Sequence, residues 1–143
     1  MKLFISILLF FCFKLSAQTK PDLIVGDWMT SERNAVIRCF KQNDKYYGKV
    51  IWYAPFDEKD ENRKIHPSEN VKYLNKIIMQ DFVFGKNEWN NGKINDPHRN
   101  KTYQAFVKIN QKNQMEVTGF VIFRWMSQTM ILNKVERKIT VNP

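Results

Sequence analysis

From Leu23 onward the chain is cut into short β-branched and aromatic runs by clusters of Asn, Asp, Gly and Lys, and this punctuation limits the fold more than any other feature. Helical periodicity is almost absent, so the runs read as strands. The expected strands are 25–30, 35–41, 46–53, 77–84, 88–91 with 93–95, 102–109, 115–123 and 129–135. Gln42-Asn43-Asp44, Gly85-Lys86-Asn87, Asn91-Gly92 and Asn110-Gln111-Lys112-Asn113 carry residues that tolerate φ > 0, as turns require. About eight sequential strands with hairpin-length links predict an all-β, antiparallel up-and-down barrel or a sandwich.

One connection breaks the rhythm. Residues 54–72, after the third strand, contain Pro55, Pro67 and seven charged residues between Asp57 and Lys64. A loop this long is a lid or a solvated excursion, and residues 71–76 add one helical turn. Alternation also marks an inner face. Tyr103, Ala105, Val107 and Ile109 share one side of their strand, as do Met115, Val117, Gly119, Val121 and Phe123. The opposite faces carry Phe106, Phe120 and Ile122, which predicts some outward apolar side chains.

Residues 1–17 have the three parts of a secretory signal. Lys2 is the positive start, residues 3–13 are apolar apart from Ser6, and Leu15-Ser16-Ala17 is the cleavage site. The apolar run is too short to span roughly 30 Å of hydrocarbon as a helix, so the chain is not expected to span a membrane. The predicted arrangement is a signal peptide, 1–17, then a single barrel domain, 18–143, placed in the periplasm or secreted. Cleavage removes Lys2 and Lys14 and leaves 21 basic against 14 acidic residues. It also removes Cys12, so Cys39 remains alone and reads as a buried core residue without an intrachain disulfide.

The candidate chemistry is sparse. Ser31, Ser68 and Ser127 lack an elbow motif, and His66 and His98 each stand beside Pro in turn-like segments. Asp57, Glu58, Asp60 and Glu61 lack the Gly and terminal Glu of an EF-hand. The sequence therefore nominates no catalytic residue, no metal ligand and no cofactor, and the enzyme class ranks last. Basic residues are spread through the turns without an arginine stripe, so nucleic acid is not an expected partner. They make a solvated basic surface, or one attracted to anionic envelope lipid or polysaccharide.

Gly26-Asp27-Trp28, Gly48-Lys49-Val50-Ile51-Trp52, the run from Trp89 through Asn91-Gly92-Lys93 to Asp96-Pro97, and Lys101-Thr102-Tyr103 occur in order along the chain. Together they resemble the bacterial DUF2147 family, exported lipocalin-like β proteins of unassigned function. The resemblance covers residues 24–135. The chain departs from the family pattern at Asn100, where Gly is usual, at Asn95, where an aromatic is usual, and at Leu132-Asn133-Lys134, where a Trp-x-Arg pattern is usual. The resemblance implies a closed eight-stranded lipocalin-like barrel in which a last-strand cation covers the first-strand indole, here Lys134 over Trp28 as a structural plug. Arg137 is a nearby substitute for that cation.

Such a barrel either holds one small ligand or is filled by its own side chains. The leading expectation is a small apolar or amphipathic ligand. Trp52, Trp89, Tyr103 and Phe123 would face it from the interior, with Asp96 as a polar anchor at the mouth and Glu88 or Asp57 as alternatives. Tyr46 and Phe82 complete the aromatic stock. The competing expectation is a filled barrel that contacts an envelope protein.

Overall fold

The computed structural model describes residues 20–53, 73–97, 99–120 and 127–136. Eight strands follow a short 3-10 turn, Pro21–Ile24: β1 (Gly26–Thr30), β2 (Ala35–Gln42), β3 (Lys45–Tyr53), β4 (Ile77–Gly85), β5 (Glu88–Asp96), β6 (Lys101–Ile109), β7 (Gln114–Phe120) and β8 (Ser127–Lys134). Each pairs antiparallel with the next, and β8 returns to β1 through Trp28↔Lys134, Met29↔Asn133 and Thr30↔Leu132. The result is an up-and-down barrel, not a sandwich, and closure leaves no sheet edge unpaired. The expected signal peptide, the 54–72 loop, residues 121–123 of the seventh strand and Arg137 lie outside the described residues.

Turn chemistry makes the two ends of the barrel different. Asn43 and Asp44, with φ of 50° and 61°, form a two-residue hairpin between β2 and β3. Lys86 and Asn87, at 55° and 62°, do the same between β4 and β5. Two successive residues at positive φ match the twist of antiparallel strands, so these turns close tightly. The β6–β7 link lies at the same end. There the Asn110 side-chain oxygen accepts hydrogen bonds from the backbone N–H of Lys112 and Gln114 at 2.9 and 3.0 Å. The remaining connections, 31–34, 54–76, 97–100 and 121–126, join their strands at the opposite end. Asn100 takes φ of 51° in its turn, a conformation that Asn adopts readily.

Among the register shifts in the wall, two carry a residue at positive φ. On β4, Tyr46↔Phe82 and Gly48↔Met79 set three residues against two, with Asp81 at φ 61°. On β5, Trp89↔Val107 and Gly92↔Ala105 do likewise, with Asn91 at φ 58°. Asn91-Gly92 is therefore a bulge inside one continuous strand, which corrects the expected turn. The bulge keeps both Trp89 and Gly92 pointing inward. Phe82 then lies against Gly92 so closely that a Cβ there would fall 2.3 Å from its ring.

Inward residues of β6 and β7 follow the alternation, with Ala105, Val107, Met115 and Val117 buried. Outside, Phe106 and Phe120 are half-buried with ring centroids 6.3 Å apart. The core cluster holds Trp28, Cys39, Met79, Phe82, Trp89, Met115 and Leu132 at 2% exposure or less, and it fills the hairpin end of the barrel.

Candidate functional site

The turn Pro21–Ile24 caps the hairpin end. Pro21 suits its first position, since a ring nitrogen without N–H leaves no orphan donor there. Both indoles buried among the described residues bind to its backbone: Trp28 Nε1 donates to the Ile24 carbonyl at 2.7 Å, and Trp89 Nε1 donates to the Pro21 carbonyl at 3.0 Å. Tyr46 OH donates to Asp22 Oδ1 at 2.7 Å. Burial, then this hydrogen bond, pushes the Tyr46 phenol up to about 12. Lys134 Nζ lies 5.5 Å from the centroid of the Trp28 ring, and Lys41 Nζ lies 5.6 Å from that of Tyr46. Each buried indole donor thus has an acceptor, as burial requires.

At the other end the described residues line a space. A cavity of about 920 Å³ occupies the barrel mouth, within the usual size range for small-molecule sites. Its deeper wall is Ile37, Val50, Ile94 and Val117, and its aromatic side is Tyr53, Tyr73 and Tyr103. Tyr53 and Tyr73 meet edge to face with centroids 4.7 Å apart. Met130 pairs with the inward Val117 and so faces this space, yet it is 52% exposed. An apolar side chain turned into a barrel and left wet is an unfinished core.

Charge is confined to the rim, where Glu32, Asp96 and Arg99 line the opening. The Arg99 backbone N–H donates to Asp96 Oδ1 at 3.2 Å, while its guanidinium lies 4.0 Å from Oδ2. No described lysine lines the cavity, although the chain carries a formal charge of +9.

The residues nominated from sequence divide by position. Tyr103 and Asp96 line the cavity. Trp89 is fully buried beneath it, its ring 6.4 Å from Tyr46 and 5.1 Å from Phe84, and so belongs to the floor. Trp52 lies on the outer face and does not line the cavity: a bulge shifts its register to Val36, it is 36% exposed, and Tyr53 takes the inward place. Phe123, Asp57, His66 and His98 lie outside the described residues. Glu88 stands at the hairpin end, 3.5 Å from Lys108, remote from the mouth.

Sequence reasoning missed Tyr53, Tyr73, Ile94 and Met130, although Met130 and Ile94 do continue the alternation of their strands. Among the described residues the titrations that shift, those of Arg38, Cys39, Tyr46 and Tyr47, belong to residues that do not line the cavity. Among the described residues no cluster of three or more His, Cys, Asp or Glu could hold a metal ion, and no helix is long and apolar enough to cross a membrane. A second concavity of about 640 Å³ lies on the outer wall over the β4–β6 bulges, beside Val83, Lys93, Gln104 and Phe106.

Comparison with known proteins gives three findings. The family model described as an uncharacterized protein conserved in bacteria, DUF2147, matches residues 26–134. Among solved structures, the barrel is similar to a protein from the human pathogen Helicobacter pylori that is described as belonging to the lipocalin family. The TM-score is 0.57 at 21% identity, over 79% of this chain and 83% of that one. No curated protein matches.

Proposed function

The chain belongs to the DUF2147 family of bacterial proteins, and we propose that it binds a small apolar or amphipathic molecule in the mouth of its barrel. The observation that carries this reading is the cavity of about 920 Å³ with wet Met130 inside it. A barrel built only as a solid module would bury its inward apolar residues from end to end, as this one does at the hairpin end alone. The polar rim supplies the few oriented groups that a small-molecule site uses for specificity. On this reading the chain is a binding protein and not an enzyme, and residues 1–17 direct its export, leaving a mature chain from Gln18.

The test is native mass spectrometry of the protein purified from its own host, before and after organic extraction. A discrete extra mass that extraction removes supports the reading, and the intact mass also reports cleavage after Ala17. The control is Gly119→Leu. Gly119 lines the cavity, and a Cβ there would meet Tyr103 Cβ at an ordinary 3.6 Å, so the variant fills the mouth without disturbing the wall. A bound mass retained in folded Gly119→Leu would refute the site. Its absence from the wild type, together with no thermal shift across lipids and ring compounds, would refute the function.

A further inference from the structure

Asn91-Gly92, the one Asn-Gly pair of the chain, carries the backbone chemistry most prone to self-modification. The glycine nitrogen, unhindered by a side chain of its own residue, can attack the side-chain amide carbon of the asparagine. An N–C bond forms, ammonia leaves with the proton of that nitrogen, and a five-membered cyclic imide remains. Water then opens the imide at either carbonyl. One opening leaves aspartate on an unchanged main chain. The other, favoured, leaves isoaspartate, whose main chain runs through the former side-chain methylene. Asn91 is exposed, and both residues line the concavity on the outer wall, so water reaches the pair.

The bulge on β5 forbids the first step. Asn91 sits at φ of 58°. For an L-residue there, only the left-handed region is open, with ψ of about +30 to +60°. In that conformation the Gly92 nitrogen stands nearly anti to the Asn91 Cβ about the Cα–C bond, as far from the side-chain amide as rotation can place it. Ring closure needs the two nearly eclipsed, which takes close to half a turn of ψ. Such a turn would swing the 91–92 peptide out of a strand that is held on both sides. Gly92 pairs with Ala105, Asn90 with Val83, and Lys93 with both Gln80 and Gln104. A strand paired in this way opens only when the barrel opens.

The product differs from the reactant where the wall has no slack. Isoaspartate adds one methylene to the main chain immediately before Gly92. Gly92 is buried, and an added Cβ there would already fall 2.3 Å from the Phe82 ring. A lengthened chain cannot keep both Trp89↔Val107 and Gly92↔Ala105 in register with Gly92 against that ring. Aspartate at the same position leaves the main chain unchanged and keeps that register.

We propose that Asn91-Gly92 is a self-modification site gated by barrel opening: locked in the closed barrel, it converts to isoaspartate in the opened one and then prevents reclosure. The proposal is independent of what the barrel mouth holds.

The experiment holds the purified protein in mildly alkaline buffer across a urea series. Isoaspartate at residue 91 is counted by peptide mass analysis with isoaspartyl methyltransferase labelling. Conversion should be ready in unfolding urea and at least about a thousandfold slower in the closed barrel, the inverse of the largest unfolded fraction of a native domain. Between those limits the rate should follow the unfolded fraction read by tryptophan fluorescence. Leu132→Ala weakens the barrel from β8, away from the bulge, and should speed conversion without urea by about thirtyfold or more. If Leu132→Ala does not fold, the urea series decides alone. Removing the urea and collecting the protease-resistant protein should recover asparagine and aspartate at residue 91, but not isoaspartate. Conversion in the closed barrel faster than its unfolded fraction allows, or none in urea, overturns the gate. Isoaspartate recovered in the refolded fraction in proportion to its yield overturns the block on reclosure.

Discussion

Gly92→Ala is the sharpest test of how this barrel is packed. Gly92 faces inward on β5, and its φ is not positive, so alanine meets no backbone penalty there. The cost is steric. An added Cβ would fall 2.3 Å from Cδ1 and Cε1 of Phe82 and 2.4 Å from its Cγ, against about 3.5–4.0 Å for carbon atoms at rest. The ring must withdraw by more than 1 Å, and it has nowhere to go: Phe82 is fully buried within the same core cluster as Met79, Tyr46 and Trp89. Overpacking of this kind costs about 1–3 kcal/mol, offset by roughly 0.5–1 kcal/mol because alanine has less freedom to lose than glycine. The net expectation is a loss of about 1–2 kcal/mol, read as a fall of roughly 0.5–1 M in the urea midpoint followed by tryptophan fluorescence. Phe82→Leu alone also destabilises, but it vacates the space that the new methyl needs. The double variant should then be more stable than the sum of the single losses by about 1 kcal/mol. A Gly92→Ala midpoint equal to wild type, or strict additivity in the cycle, would refute the packing argument.

Lys134→Met removes the cation over Trp28 while keeping an aliphatic stem beside Gly26, and should cost about 0.5–1 kcal/mol in the same urea experiment; no loss would show that the contact contributes only through its methylenes. Trp89→Phe strands the Pro21 carbonyl beneath the floor, and an unmade buried hydrogen bond should cost about 1–3 kcal/mol. Its signature is faster exchange of the Val25 amide, which donates to the Asp22 carbonyl at the end of the same turn. Burial, then the nearby Asp27 charge, pushes the Cys39 thiol up from about 9 to about 12, and Tyr46 rises from 10 to about 12. Both folded groups hold their protons where the unfolded chain releases them, so stability is intact below pH 9 and falls as pH rises from there towards 12. Cys39→Ala and Tyr46→Phe should each flatten that fall in thermal melts, and a slope unchanged in both would contradict the assignment. Cys39 should likewise resist thiol reagents until the chain unfolds.

Strand positions were legible because two local signals agree: alternation of period two within each run, and Asn, Asp or Gly at most of the positions where φ turns positive, Arg33 and Lys86 being the exceptions among the described residues. Bulges broke the reading, since a bulge uses the same residues as a turn. Asn91-Gly92 has turn chemistry, but a strand that pairs on both sides absorbs it as one extra residue, and the choice is made by register with β6. The same effect moved Trp52 to the outside, because a shift opposite Val36 and Ile37 hands the inward place to Tyr53. The Pro21–Ile24 cap gave no periodic signal at four residues. Its indole partners become visible only when β1 and β5 begin at the same end of a closed barrel.

The division between floor and pocket was written in the sequence, but in the loops and not in the aromatics. A tryptophan suits a core as well as a ligand site, so composition could not separate Trp89 from Tyr103. Loop length does. In an up-and-down barrel, connections alternate between the two ends. Here the β2–β3 and β4–β5 links have two residues each and β6–β7 has four rich in Asn, while the links at the other end, 31–34, 54–76, 97–100 and 121–126, have four residues or more. Two-residue hairpins hold their strands so close that side chains near them must fill the interior. Trp89 stands two residues past the Lys86-Asn87 hairpin and is floor, whereas Tyr103 stands three residues past Asn100 in an open-end turn and is wall. Each inward aromatic is thus assigned by the kind of turn nearest to it. The Cys39 and Phe82 positions obey the rule from β2 and β4, whose closed ends they approach, and Tyr53 obeys it from the open end of β3.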